Sequence, residues 1–165
     1  MKKNKIIITG GLGFIGSHLV KLLLKENYTI LNIDKISYAS QKTKINHSNY
    51  FFKKLNIYNF RTLKKTINNF KPNIIVNCAA ETHVDRSISS AKKFINSNIL
   101  GTFNLLEIIK EKKNIKYIHV STDEVFGSIK KGKFKENSCY NPNSPYAASK
   151  ASSDHLVRSY GKTYK

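Results

Sequence analysis

Residues 5–16 read KIIITGGLGFIG. Three successive isoleucines cannot alternate between a wet and a dry face, so this strand is expected to be buried on both sides. Gly10, Gly11, Gly13 and Gly16 follow at once. From Phe14 onward the apolar period changes: Phe14, Ile15, Leu19, Leu22 and Leu23 recur at helical spacing. A buried strand passing through a glycine turn into a helix predicts the first unit of a parallel sheet covered by helices.

Outward from that unit the same alternation repeats. YTILNID (28–34) and NYFFKKL (49–55) read as strands, and FRTLKKTINNF (60–70) as a helix stopped by Lys71-Pro72. NIIVNCAA (73–80) is a fourth strand and IKYIHVST (115–122) a fifth, with one long helix, 91–112, between them. SPYAASKASSDHLVRSYG (144–161) is a helix entered through Pro145. The expected fold is therefore α/β, a doubly wound parallel sheet (Rossmann fold), with all strands buried on both faces. In such sheets ligands sit beyond the carboxyl ends of the strands.

Composition sets limits. The chain of 165 residues has room for one domain with a real core. It holds 29 basic and 10 acidic residues, a net charge of +19, which invites a nucleic-acid reading. Against it, only Arg61, Arg86 and Arg158 are arginines, and the lysines are scattered through every segment. No nucleic-acid partner is expected. Cys78 and Cys139 form no disulfide framework and no metal-ligand spacing, which suits a cytoplasmic protein with no metal. No apolar run approaches the about 18 residues of a membrane span.

The glycines satisfy G-x-G-x-x-G directly after a strand and at the opening of a helix. They allow a tight turn and let a pyrophosphate approach backbone amides at the helix N-terminus. The second strand ends at Asp34, placed to accept hydrogen bonds from an adenine ribose and to repel a 2′-phosphate, so NAD is the expected cofactor. Tyr146 and Lys150 stand four apart on a helix, putting a phenol and an ammonium on one face. Spacing alone is uninformative in so lysine-rich a chain, since Tyr38/Lys42 and Tyr50/Lys54 share it. Only Tyr146 opens a helix after a strand ending in Ser-Thr. The nearby ammonium is expected to lower the phenol's pKa toward neutrality.

STDEVFG (121–127) sets Asp123 beside Glu124 at the end of the fifth strand, in a chain poor in acids. Together with GGLGFIGSHLV, DKISYAS, AAETHVDRSI, NILGT and PYAASKASSDHLV, this stretch resembles the extended short-chain dehydrogenase/reductase family, and within it the nucleotide-sugar 4,6-dehydratases. The resemblance runs from residue 10 to about 157 in the family's order. It implies that Gly10, Gly13, Phe14, Ile15, Gly16, Asp34, Lys35, Ile36, Ser37, Ala79, Ala80, Glu81 and Ser97 hold NAD. It implies that Thr82 and Thr122 contact the sugar, Asp123 is the general acid, Glu124 the general base, and Tyr146 and Lys150 run the oxidation. The implied reaction is dehydration of a nucleotide-activated hexose, dTDP-glucose foremost, to a 4-keto-6-deoxy sugar. Such an elimination needs an acid and a base on one substrate.

Departures accompany the matches. Asn56-Ile57 stands where the family usually has Asp-Ile beside the adenine, and Phe126 replaces a common Tyr. Family members continue for about as long again, so residues 1–165 are expected to be the NAD-binding domain with its catalytic residues, truncated before the substrate domain. A separate C-terminal half and a homodimer through the 91–112 and 144–161 helices are the partners the family implies. A 4-epimerase or decarboxylase, needing Tyr146 but not both acids, and a non-catalytic NAD-binding module remain alternatives.

Overall fold

The computed structural model describes residues 4–41 and 44–164; Lys42, which shares its spacing with Tyr38, lies outside the described residues. The elements run β1 (Lys5–Thr9), α1 (Phe14–Lys25), β2 (Thr29–Asp34), β3 (Tyr50–Lys54), α2 (Phe60–Phe70), β4 (Ile74–Asn77) and α3 (Val84–Ser89). They continue with the single turn α4 (Lys92–Phe94), a π-helical segment Ile95–Leu100, α5 (Gly101–Ile109), β5 (Lys116–His119), a 3₁₀ turn Asp123–Phe126 and α6 (Pro145–Thr163).

The five strands form one parallel sheet in the order β3-β2-β1-β4-β5. Alternation along β1 shows the double winding. Ile7 packs into a cluster with Leu31, Ile33 and Ile75, covered by Leu63 and Ile67 of α2 and Leu105 and Ile108 of α5. Ile6 and Ile8 point the other way, into a cluster with Ile30 and Val76 covered by Val20 and Leu24 of α1. Each fully buried isoleucine stabilises the fold by roughly 2–3 kcal/mol relative to exposure. The sheet order reverses at β1, so the carboxyl ends of β1, β2 and β4 open a crevice between the two helix layers.

Three sequence expectations are corrected. Burial on both faces holds for β1, β2 and β4, but β3 and β5 are edge strands, with Phe51 and Ile118 exposed by 50% and 41%. The helix expected over 91–112 is not one α-helix: it passes through the π segment and its last α-helical residue is Ile109. The fourth and fifth strands are shorter than read, because the chain leaves the sheet at Asn77 and His119 to build the site. Helix α3 and the 3₁₀ turn were not anticipated. Among the described residues no helix is long and apolar enough to cross a membrane.

Candidate functional site

The glycine loop is shaped by close approach. Gly10 sits at φ +71, and a Cβ there would lie 2.7 Å from the Ala79 backbone. A Cβ on Gly16 would lie 2.3 Å from the Gly10 carbonyl oxygen, so glycine there lets α1 start directly against the loop. Gly13 caps α1, its carbonyl accepting from Ser17 N at 2.9 Å, with no side-chain cap and no acid in the first turn. The leading amides of α1 are thus left for a ligand. Phe14 and Ile15, exposed by 76% and 56%, stand beside them.

These residues line a cleft of about 380 Å³ that runs over the ends of β1, β2 and β4. Of the residues expected at NAD, Gly10, Gly13, Phe14, Ile15, Gly16, Asp34, Lys35, Ser37, Asn56, Ile57, Ala79, Ala80 and Ser97 line it. Thr82, expected at the sugar, lines the same cleft. Ile36 and Glu81 do not line it. Ile36 is held at φ 60, and the Glu81 carboxylate is ion-paired with Lys35. That pair joins the loops after β2 and β4 across the end of β1.

Asp34 is buried and already engaged. Its Oδ2 accepts from Leu12 N at 3.0 Å, and its Oδ1 from Ile36 N at 2.8 Å and Ser40 Oγ at 3.3 Å. A carboxylate offers about four acceptor positions, which leaves about one for a ribose hydroxyl. Asn56 Oδ1 accepts from Tyr58 N at 3.0 Å, leaving its amide NH₂ for a base.

The second cluster is held by α6. Ser144 Oγ caps it by accepting from Ala147 N at 3.0 Å, and Pro145 fills the first turn. Thr122 Oγ1 accepts from Glu124 N at 3.3 Å and so caps the 3₁₀ turn carrying Asp123 and Glu124. That turn packs against α6. Tyr146 is 7% exposed, with Phe94 edge-on at 6.3 Å. Burial raises its phenol pKa; Thr122 hydrogen-bonds to it and pulls the other way, while the Glu124 and Asp123 carboxylates add to the rise. Thr122, Asp123, Glu124 and Tyr146 are therefore one electrostatic unit.

The expected lowering of Tyr146 by Lys150 is overturned. Lys150, 4% exposed, sends its Nζ to Val120 O at 2.6 Å, with His119 Nε2 at 3.5 Å, so its charge is spent on the end of β5. Burial lowers the Lys150 pKa, partly offset by Asp154 and Cys78. Cys78, which acts on Lys150, also lines the cleft. Tyr146, Lys150 and the three residues 122–124 lie beside the cleft rather than in its wall.

Sequence reasoning missed Asn98 in the π segment. Its Oδ1 accepts from Glu81 N at 2.8 Å, and its Nδ2 donates to Glu81 O at 3.0 Å and Ser149 Oγ at 2.9 Å. Ser153 Oγ donates to its backbone carbonyl at 2.7 Å. Asn98 thus staples the loop after β4 to the helix bearing Tyr146. A second miss is Asn77, which accepts from Thr9 Oγ1 at 2.5 Å and donates to Thr102 Oγ1 at 3.2 Å, with His119 Nδ1 at 3.3 Å. A polar residue inside the apolar run NIIVNCAA is the sequence sign that could have found Asn77; among Asn96, Ser97 and Asn98 nothing singles out Asn98.

Comparison with known proteins adds four findings. A family model described as GDP-mannose 4,6 dehydratase matches residues 7–165. A dTDP-glucose 4,6-dehydratase of Haemophilus influenzae is 39% identical over 96% of this chain. The crystal structure of a Bacillus anthracis dTDP-glucose 4,6-dehydratase in complex with NAD is 42% identical over 98% of this chain, with a TM-score of 0.85. A Thermus thermophilus UDP-glucose 4-epimerase in complex with NAD is 28% identical over 97%, with a TM-score of 0.89. The chain spans about half the length of each: 52%, 51% and 51% in turn.

Proposed function

The chain belongs to the GDP-mannose 4,6 dehydratase family, and on that premise we propose that it is the NAD-binding, catalytic part of an enzyme that dehydrates a nucleotide-activated hexose, dTDP-glucose foremost. One observation carries the reading: the turn bearing Asp123 and Glu124 packs against the helix bearing Tyr146, in the same domain as a cleft built by a glycine loop and Asp34.

The cleft suits NAD. The uncapped amides of α1 suit a pyrophosphate, the acceptor left on Asp34 suits a ribose hydroxyl, and Phe14 and Ile15 offer apolar cover. Bound there, NAD would supply the hydride acceptor at C4 of the hexose and later the hydride donor at C6. Tyr146, in its phenolate form, would take the C4 hydroxyl proton. The resulting ketone acidifies the C5 proton, which Glu124 removes, while Asp123 protonates the C6 hydroxyl as it leaves as water. Thr122 and Thr82 hydrogen-bond the sugar, and Lys150 holds a buried positive charge at the end of β5.

Residues 1–165 form the cofactor domain in this reading, the donor's nucleotide being gripped by residues outside them. A separate C-terminal half is one source of those residues. Exposed Ile95 and Phe103 support a homodimer through the faces of the π segment, α5 and α6. The free thiols Cys78 and Cys139 support a cytoplasmic, reducing setting.

The test has two stages. Calorimetry of the chain with NAD⁺ checks the cofactor site. Mass analysis of dTDP-glucose incubated with the chain plus a completing C-terminal half checks the reaction, which must lose one water and lose it only with Asp123 and Glu124 intact. The likeness to a UDP-glucose 4-epimerase favours 4-epimerisation as the second reading, and its product would keep the substrate's mass. NAD⁺ binding with no turnover under either condition would leave a non-catalytic binding module.

A further inference from the structure

One turn beyond Lys150, α6 carries Asp154, whose carboxylate draws four segments together. Its Oδ2 accepts from Ser121 Oγ at 2.5 Å and from Tyr140 OH at 3.0 Å, and its Oδ1 lies 3.5 Å from His119 Nε2. Ser121 directly precedes Thr122-Asp123-Glu124. The hydrogen-bond network fixes the direction of these contacts. Thr9 Oγ1 donates to Asn77 Oδ1, so Asn77 presents its NH₂ to His119 Nδ1, which must accept. The His119 proton therefore sits on Nε2, which lies 3.5 Å from Asp154 Oδ1. Lys150 cannot donate to that nitrogen; its ammonium bonds Val120 O, and His119 Nε2 stands 3.5 Å from both Lys150 Nζ and Asp154 Oδ1.

We propose that Asp154 is a positioning residue: its carboxylate keeps the buried Lys150 ammonium charged and clamps the 121–124 turn to the helix that carries Tyr146. The functional weight of Lys150 rests on the reading above; the clamp rests on the geometry alone. Lys150 is faced by His119 from β5, Cys78 from the end of β4 and Asp154 from its own helix. Asp154 is faced by His119, Ser121 and Tyr140, and Arg158 acts on Tyr140 from one turn further on. His119 is neutral at physiological pH, since burial and the Lys150 charge push its pKa down to about 4. Asp154 is thus the anion that answers Lys150 in this cluster.

The experiment follows the Lys150 side chain by NMR of the chain labelled with ε-¹³C lysine, assigned by loss of its peak in Lys150→Arg. Asp154→Asn keeps an acceptor for Ser121 and Tyr140 but removes the charge, so the Lys150 titration moves down by about one unit. Ser121→Ala with Tyr140→Phe keeps the charge and removes the clamp. There the Lys150 titration stays in place while the Glu124 amide exchanges at least about tenfold faster. A folded Asp154→Asn chain whose Lys150 titrates as in the parent overturns the proposal. If Asp154→Asn loses its cooperative melt, Asp154→Glu decides. A folded chain with the parent's Lys150 titration supports the proposal, and unfolding there too makes Asp154 a packing residue and overturns it. None of these readouts uses turnover, so a chain that binds no NAD⁺ would refute the functional reading without touching this one.

Discussion

Replacing Asn98 by alanine tests the link between the cofactor loop and the catalytic helix. Asn98 is 1% exposed, and its amide bonds both the N–H and the C=O of Glu81. Alanine leaves those two peptide groups buried without partners and frees Ser149 Oγ. Each stranded group costs about 1–3 kcal/mol, so a loss of about 3–4 kcal/mol is expected. That is a large share of a stability of about 5–15 kcal/mol, and at about 2–4 °C per kcal/mol it lowers Tm by about 10 °C. Urea titration with the slope held free gives the energy, and calorimetry with NAD⁺ gives the site. Because the Glu81 loop lines the cleft through Ala79, Ala80 and Thr82, NAD⁺ affinity should fall as well. Asn98→Asp keeps the size and the acceptor for Glu81 N but has no donor for Glu81 O, and should cost at least as much. If both variants lose under about 1 kcal/mol with unchanged NAD⁺ affinity, the π segment does not hold the two halves of the site together.

Gly16→Ala drives a methyl into the Gly10 carbonyl at 2.3 Å, backbone against backbone, and should cost about 1–3 kcal/mol with weakened NAD⁺ binding, read by thermal melts and calorimetry. Tyr146→Phe should fold and bind NAD⁺ as the parent does, yet lower turnover about 10²–10⁴-fold once the completing half is supplied. The buried imidazole of His119 makes stability depend on pH. Its pKa falls from 6.5 to about 4 on folding, so between those values the unfolded chain holds a proton that the folded chain refuses. Stability is therefore full above about pH 6.5 and drops by roughly 3 kcal/mol as pH falls to about 4. Melting curves across that range should show this loss in the parent and not in His119→Asn if the imidazole is responsible.

Much of this arrangement is legible in the chain. Ile6, Ile7 and Ile8 announce a strand dry on both sides, and the glycine run with Asp34 at the end of the next strand announces the crevice. The edge positions of β3 and β5 are not legible, because Phe51 and Ile118 carry the same apolar character whether a neighbour covers them or not. Nor is the π segment: nothing in INSNIL marks a wider turn, and the buried bonds of Asn98 and the close packing of Gly101, where a Cβ would strike Ile57 at 2.5 Å, appear only in the folded chain. The direction of the Tyr146 pKa was misread for a related reason. Helical spacing puts Tyr146 and Lys150 on one face, but a four-carbon side chain goes where the best acceptor lies, here the carbonyl of Val120.

The grip on Asp34 bears on any attempt to retarget this protein to a phosphorylated cofactor. Removing the acid to admit a 2′-phosphate would also release Leu12, Ile36 and Ser40, three donors from two loops, and with them the shape of the turn meant to receive the pyrophosphate. Redesign would have to supply new acceptors for those groups in the same step. If the cleft takes NAD as proposed, discrimination between the two nicotinamide dinucleotides is welded into the scaffold rather than left as an adjustable dial.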